Sequence, residues 1–234
     1  MPMPSTKKQQ TIFETYESES PIATELRRLY HNARKSVNDD VPPKSFLVTS
    51  SNRGEGKSTI AANLAVTIAE FPKKKIVIID ADLRRPRVHE IFGLDCNDGL
   101  RECLESSIDP MKVAKSTELP NLQVITAGSR SKTPGKLFES EGLSEMLKKV
   151  SFYYDVVIVD SAPVLAVSDT LYLCSEIDAV MFVVLAGVTP REVATRSRNV
   201  LLDSNARIAG VVLNNASGVL PYYYDYKYYS NEKK

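Results

Sequence analysis

Much that would mark a secreted, membrane-spanning or nucleic-acid-binding protein is missing. The 234 residues contain only three cysteines, Cys96, Cys103 and Cys174. They share no metal-like spacing, and an odd number in a chain expected to have no leader favours reduced, cytosolic thiols used for packing. The formal net charge is +1, so nothing draws the chain generally to a phosphodiester backbone, and nucleic acid is not an expected partner. No apolar run approaches the about 18 residues needed to cross a bilayer. The start, Met1-Pro2-Met3-Pro4-Ser5-Thr6-Lys7-Lys8, has no hydrophobic stretch behind its charges. That predicts no leader and a cytosolic chain, which would reach a membrane only if something else brought it there. Internal repeats are absent too. What remains is 43% hydrophobic, enough for the core of one α/β domain with extensions.

Against that background one segment stands out. The apolar run Phe46-Leu47-Val48-Thr49-Ser50 leads into Ser51-Asn52-Arg53-Gly54-Glu55-Gly56-Lys57-Ser58-Thr59. Gly54 and Gly56 permit backbone angles closed to other residues, so successive N–H groups can turn inward around phosphate oxygens. The helix that follows adds its unpaired N-terminal donors. In the pattern G-x-x-x-x-G-K-[ST], Lys57 reaches the outer phosphates and Ser58 offers its hydroxyl to magnesium, with Thr59 beside it. Ser51 stands in the first glycine position, so the match is incomplete. A Gly-Lys-Ser tripeptide alone is weak evidence. Its strength here is order: strand, glycine loop, then an alanine-rich helix over 60–69. The segment predicts a site for ATP and Mg2+.

Residues 1–20 are polar and aperiodic and predict a flexible arm. Residues 21–35 predict an amphipathic helix whose stripe is Ile22, Leu26, Leu29 and Ala33, with Glu25, Arg27, Arg28 and Arg34 on the other faces. Asn38-Asp39-Asp40-Val41-Pro42-Pro43 ends it. Further strands are predicted at 75–79, 122–126, 155–159, 179–185 and 207–213, with helices between them that include 135–150 and 190–202. This alternation predicts a mainly parallel sheet covered by helices on both faces, with ligands outside the carboxyl ends of the strands. The main domain is therefore 21–220, followed by a tail, 221–234.

Two more strand ends carry acid. Ile76-Val77-Ile78-Ile79 runs into Asp80-Ala81-Asp82-Leu83-Arg84-Arg85-Pro86, and Val156-Val157-Ile158-Val159 into Asp160-Ser161-Ala162-Pro163. Magnesium bound to ATP takes hard oxygen ligands and keeps several waters, so one carboxylate can hold it while another accepts a proton. The plain alternative for Asp160 is a turn after a strand. Arg84, Arg85 and Arg87 are candidates for a phosphate clamp, with a solvated basic face as the alternative. Lys73, Lys74 and Lys75 read as surface, and His89 as structural.

Ser51 to Thr59, the run Ile78-Ile79-Asp80-Ala81-Asp82-Leu83-Arg84-Arg85-Pro86, the run Ile158-Val159-Asp160-Ser161-Ala162-Pro163 and a C-terminal tyrosine cluster together resemble the bacterial tyrosine kinases of capsular and exopolysaccharide synthesis. These are relatives of the MinD and ParA ATPases. The resemblance runs from about Pro21 to the C-terminus. It implies an α/β P-loop NTPase fold of the deviant-Walker, MinD/ParA-like kind. It also implies nucleotide contacts from Asn52, Arg53, Gly54, Glu55, Gly56, Lys57, Ser58, Thr59 and Asn214. Lys57, Asp80 and Asp82 are implied in catalysis, and Ser58, Asp82 and Asp160 at magnesium. Which of Asp80 and Asp82 is the base stays open, and Asn214 is either an adenine contact or a plain strand-end residue. Glu25, Arg28 and His31 match an oligomerisation motif that ordinarily ends in arginine. Histidine is mostly uncharged at neutral pH, which weakens it. A homo-oligomer, a ring among the possibilities, is implied, with protein substrates phosphorylated on tyrosine. So is a transmembrane modulator whose cytoplasmic tail recruits the chain to the inner face of the cell membrane. Asn52 and Arg53 replace the signature lysine segment of MinD-like ATPases, which counts against the alternative of an ATPase switch without kinase activity. Arg53 also replaces the proline usual in the kinases.

The tail carries Tyr222, Tyr223, Tyr224, Tyr226, Tyr228 and Tyr229. Such a run by itself suggests an interface anchor, an aggregating strand or a binding patch. Beside an ATP site it predicts phosphoacceptors, each phosphate adding roughly −1.5 to −2 charges.

Overall fold

A computed structural model describes residues 10–36, 41–131 and 133–216; the six tail tyrosines lie outside the described residues. Among these, seven strands form one sheet: β1 (Ser45–Ser50), β2 (Ile76–Asp80), β3 (Lys115–Ser116), β4 (Leu122–Ile125), β5 (Val156–Asp160), β6 (Ala179–Leu185) and β7 (Ile208–Asn214). Their spatial order is β3-β4-β2-β5-β1-β6-β7. Only the short β3 runs antiparallel to its neighbour; the other pairs are parallel. Every residue of β2 and β5 is buried, as expected when helices cover both faces.

The helices are α1 (Ile12–Thr15), α2 (Pro21–Ser36), α3 (Lys57–Ala69), α4 (Val88–Phe92), α5 (Leu100–Ser106), α6 (Pro110–Val113), α7 (Pro134–Phe138), α8 (Glu141–Tyr153), α9 (Asp169–Cys174) and α10 (Arg191–Asp203). Successive strand residues point to opposite faces, and so the core has two halves. Phe46, Val48, Ile76, Ile78 and Ile158 meet Leu64 and Ile68 of α3 on one face. Leu47, Val77, Ile79, Val157 and Val159 meet Phe138, Leu147, Val150 and Leu201 on the other. Ala61, Ala62 and Ala65 are fully buried, and small side chains there let α3 lie close to the sheet. The register sets Asp80 and Val48 on either side of Asp160, bringing the carboxyl ends of three strands together.

Three expectations need correction. Residues 10–20 are not a free arm. Ile12 is buried, Phe13 meets Phe92 edge to face at 5.7 Å, and the Tyr16 hydroxyl lies 3.1 Å from Thr67 Oγ1. Aperiodic sequence concealed a single helical turn that covers α3 and α4. The buried stripe of α2 is Ala23, Leu26, Tyr30 and Ala33, while Ile22 is 64% exposed; Leu26 and Ala33 are shared with the predicted stripe, and the face against α3 is turned by about 50°, half a residue step. The predicted helix over 135–150 is two helices, α7 and α8. Phe138 enters the core and Ser140 Oγ bonds back to the Leu137 carbonyl at 2.8 Å, which turns the chain between them. The predicted helix over 190–202 is α10, within a residue at each end.

If the first described turn is part of the core, Phe13→Ala should cost about 1–2 kcal/mol of stability. A urea denaturation midpoint equal to that of the unmodified chain would return residues 10–20 to solvent.

Candidate active site

The loop between β1 and α3 is shaped by two glycines with positive φ, Gly54 at 84° and Gly56 at 92°. A Cβ on Gly56 would also lie 2.1 Å from Asn214 Nδ2, so both conformation and space require glycine there. Glu55 points inward rather than toward a ligand. Its carboxylate accepts from the Asn52 N–H at 2.9 Å and from Thr189 Oγ1 at 2.6 Å. Asn214 Nδ2 donates to the Glu55 carbonyl at 2.9 Å. The loop is thus braced from the turn after β6 and from the end of β7. Ser51 is buried, its hydroxyl 2.9 Å from Ser197 of α10, which explains how a serine fits the first glycine position. Helix α3 starts without a side-chain cap, leaving its first N–H groups for an anion. Arg53 is exposed.

Lys57 turns back over the strand ends. Its Nζ lies 3.0 Å from Asp82 Oδ2, 3.6 Å from Asp160 Oδ1 and 3.2 Å from Ser58 Oγ. Burial alone would lower the Lys57 pKa, but the Asp160 and Asp82 charges outweigh it and hold the ammonium above its ordinary value. Asp80 is fully buried. It accepts main-chain N–H groups from Asp82 at 3.2 Å, Arg87 at 3.0 Å and Val88 at 2.9 Å. Burial, then the Asp160 charge, raise its pKa against the pull of the Val88 N–H and Lys57. Asp160 is also raised, by burial first, with Lys57 opposing. Both of its carboxylate oxygens are buried without a hydrogen-bond partner. Asp82 is buried too, and its Oδ1 accepts from the Arg85 N–H at 3.1 Å.

The three arginines do not form a clamp. Arg84 makes a two-point ion pair with buried Asp169, at 2.8 and 3.2 Å, and Arg87 pairs with Glu90 at 3.0 Å. Both are committed within the protein, while Arg85 is exposed. Asp169 and Thr189 are site-supporting residues that sequence reasoning missed; they reach partners 85 and 134 residues away, and no local motif marks them. Glu25 and Arg28 form an exposed pair at 2.7 Å on α2, with His31 exposed beyond them. Cys103 and Cys174 are buried and Cys96 partly so, as packing thiols should be.

Among the described residues, no group of three or more His, Cys, Asp or Glu is arranged to hold a metal by itself. The donor set nevertheless fits magnesium carried on phosphates, which needs one or two carboxylates and leaves other positions to water and ligand. The orphaned Asp160 oxygens beside the Ser58 hydroxyl are what such an ion would satisfy. A hollow of about 460 Å³ between α7, α8 and α9 is no competitor for a triphosphate, because Glu139, Glu141, Glu145 and Glu176 line it.

A braced glycine loop, a lysine and acidic ends of adjacent parallel strands define a P-loop nucleotide-binding protein. A family model described as ParA, NUBPL iron-transfer P-loop NTPase, matches residues 43–230. The chain is also 34% identical over 189 residues to the tyrosine-protein kinase YwqD of Bacillus subtilis, covering 81% of this chain and 78% of that one. Among solved structures it resembles the chimerical protein CapA2B2, with TM-score 0.80 and 31% identity over 86% of this chain and 88% of the other. It also resembles MinD from Pyrococcus horikoshii, crystallised with Mg-ADP, with TM-score 0.61 and 20% identity over 73% and 69%, a likeness of fold alone. The chain belongs to the bacterial tyrosine-protein kinases, a branch of the ParA-type P-loop NTPases.

Two outcomes follow for the nucleotide-free protein. Gly56→Ala should abolish nucleotide binding in calorimetric titration, and binding at the original affinity would refute the loop geometry. Asp80 and Asp160 have raised pKa values when folded, so the folded state holds more protons than the unfolded chain above the ordinary carboxylate value of about 3.9. Their favourable contribution is complete below that value and is lost as pH rises through the folded pKa values. Asp160→Asn should therefore stabilise the nucleotide-free protein at alkaline pH and flatten the decline. A steeper decline in thermal-melt series would contradict this.

Proposed function

We propose that this kinase transfers the γ-phosphoryl group of ATP to its own C-terminal tyrosines, Tyr222, Tyr223, Tyr224, Tyr226, Tyr228 and Tyr229, one subunit acting on another. On this reading, phosphorylation regulates capsular or extracellular polysaccharide synthesis or export. The observation that carries the chemistry is the meeting of Lys57, Asp82 and Asp160 beneath the free N-terminus of α3.

The N–H groups of residues 53–59 surround the phosphates while that of Asn52 is held by Glu55, and Lys57 leaves Asp82 for the outer ones. To Asn214, which already holds the loop through the Glu55 carbonyl, we assign the adenine contact. Ser58, Asp82 and Asp160 would hold magnesium, which would supply charge neutralisation in the transition state. The tyrosine oxygen forms a bond to the γ-phosphorus, the bond to the β–γ bridging oxygen breaks, ADP leaves, and the phenolic proton passes to a carboxylate. Asp82 suits that last role better than Asp80. Asp80 is tied by three main-chain donors and shapes the turn, whereas Asp82 Oδ2 faces the site and is released when Lys57 moves. Catalysis here is positioning and charge stabilisation.

The exposed Glu25–Arg28 pair with His31 supports contact between subunits through α2. No helix among the described residues is long and apolar enough to cross a membrane. We assign recruitment to the cell membrane to a separate transmembrane partner whose cytoplasmic tail docks on the kinase.

Incubation with labelled ATP tests the reading: label should appear on tyrosine, and release only as free phosphate would make the chain an ATPase switch instead. Lys57→Met should reduce labelling by about a hundredfold or more without unfolding. Asp82→Ala should reduce turnover by a similar factor with less than about tenfold change in nucleotide affinity. Equal losses of turnover and affinity would make Asp82 a binding residue. Replacing the six tail tyrosines by phenylalanine should remove most label and leave ATP affinity unchanged. Major phosphates on Tyr153 or Tyr172 by mass spectrometry would contradict the tail as acceptor.

A further inference from the structure

Glu55 is the odd member of the glycine loop. Its carboxylate is buried, 4% exposed, between Gly54 and Gly56, in a loop suited to receiving the negative charge of a triphosphate. Hydrogen bonds leave that carboxylate charged but decide where it points. Thr189 Oγ1, in the turn between β6 and α10, donates to Glu55 Oε1 at 2.6 Å and accepts the Leu185 N–H at 3.1 Å. The next N–H, of Ala186, donates to the Asn214 carbonyl at 2.9 Å, and Asn214 Nδ2 donates to the Glu55 carbonyl at 2.9 Å. A chain of hydrogen bonds thus leaves the Glu55 side chain, crosses the ends of β6 and β7, and returns to the Glu55 main chain. The second carboxylate oxygen accepts the Asn52 N–H at 2.9 Å.

The same segment holds the loop a second time. Ser197, on α10 and fully buried, has its hydroxyl 2.9 Å from Ser51 Oγ. Thr189 and Ser197 therefore fasten the loop on either side of Asn52, Arg53 and Gly54. The contacts that Lys57 makes with Asp82 and Asp160 involve neither residue.

We propose that Thr189, with Ser197 in support, is a positioning residue for ATP binding that acts through Glu55. It keeps the loop in its anion-accepting shape and keeps the Glu55 carboxylate turned from the phosphates. The inference rests on the reading of this loop as the nucleotide site. Loss of the Thr189 hydroxyl leaves Glu55 Oε1 without its donor, and a buried charge short of a partner turns to other donors. Such donors stand at the uncapped start of α3, among the N–H groups that ATP needs. Glu55 then competes with the phosphates and repels them. The loss falls on affinity, because Lys57 and Asp82 keep their places for the transfer step.

The test is calorimetric titration of ATP and ADP into the full chain, with tyrosine labelling at saturating ATP as a second readout. Thr189→Val, close to isosteric, should weaken ATP binding by about tenfold or more. ADP should lose less, since it carries less charge to meet the released carboxylate. Labelling at saturating ATP should fall by less than about threefold. Thr189→Ser, which keeps the hydroxyl, should restore the affinity, and Ser197→Ala should weaken ATP binding by a smaller factor than Thr189→Val. Adding Glu55→Gln to Thr189→Val should recover part of the lost affinity, because the competing charge is gone. If circular dichroism shows Thr189→Val unfolded, Thr189→Ala carries the same comparison. Unchanged ATP affinity in the Thr189 variant or in Ser197→Ala would overturn the proposal, as would a fall in saturated labelling as large as the fall in affinity. A double variant weaker than either single one would also overturn it and make Glu55 a nucleotide contact. No ATP binding by the unmodified chain would instead refute the nucleotide site itself, and the inference with it.

Discussion

A single buried ammonium holds the catalytic end of this kinase together. Lys57 lies at the first turn of α3, yet its side chain returns over the strand ends to Asp82 and Asp160. Carboxylates at such depth would lose most of their hydration, and Asp160 has no other partner within hydrogen-bonding reach. The lysine makes the cluster tolerable in the empty state, and on the proposed function its departure toward phosphates would leave a concentrated negative site for a divalent cation. On that reading, resting stability and affinity for magnesium are two consequences of one ion pair.

The surrounding scaffold keeps that cluster in register without contributing to the chemistry. Asp80 fixes the 82–88 turn through three main-chain donors, and Arg84 fastens the same turn to α9 through Asp169. On the nucleotide side Glu55 joins the loop to Thr189, and Asn214 joins it to β7. Each brace links the end of one strand to the segment after another. A displacement of β6 or α9 would therefore reach Gly56 or Asp82 directly.

These braces also mark how far the sequence could be read. The sheet was legible because β2 and β5 are unbroken aliphatic runs ending in aspartate, and the glycine loop because its order is fixed by backbone geometry. The family resemblance supplied the site residues that are close in sequence to those motifs. It gave no indication of Thr189 or Asp169, since an isolated threonine or aspartate has no periodicity and its partner is set by the fold. Two of the four positions in the helical stripe of α2 were misplaced, because Ile22 and Ala23 are both apolar, as are Leu29 and the ring of Tyr30, and only the position of α3 decides between them. Residues 12–16 looked like an arm for the converse reason: one turn is too short for a period, and its order comes from Phe92 and Thr67.

Parallel topology finally explains why one small domain can carry two unlike surfaces. When neighbouring strands run the same way, every loop that leaves a carboxyl end gathers at one edge, and every segment that enters a strand gathers at the other. The first edge collects the glycine loop and the aspartates, with their net demand for cations. The second collects helix ends and the turns leading into the sheet, where Lys44, Lys73 and Lys75 stand beside exposed rings. The two sets of charges are separated by the length of the strands, about 17 Å for five residues. Substitutions at the second edge therefore leave the contacts of Lys57 with Asp82 and Asp160 in place.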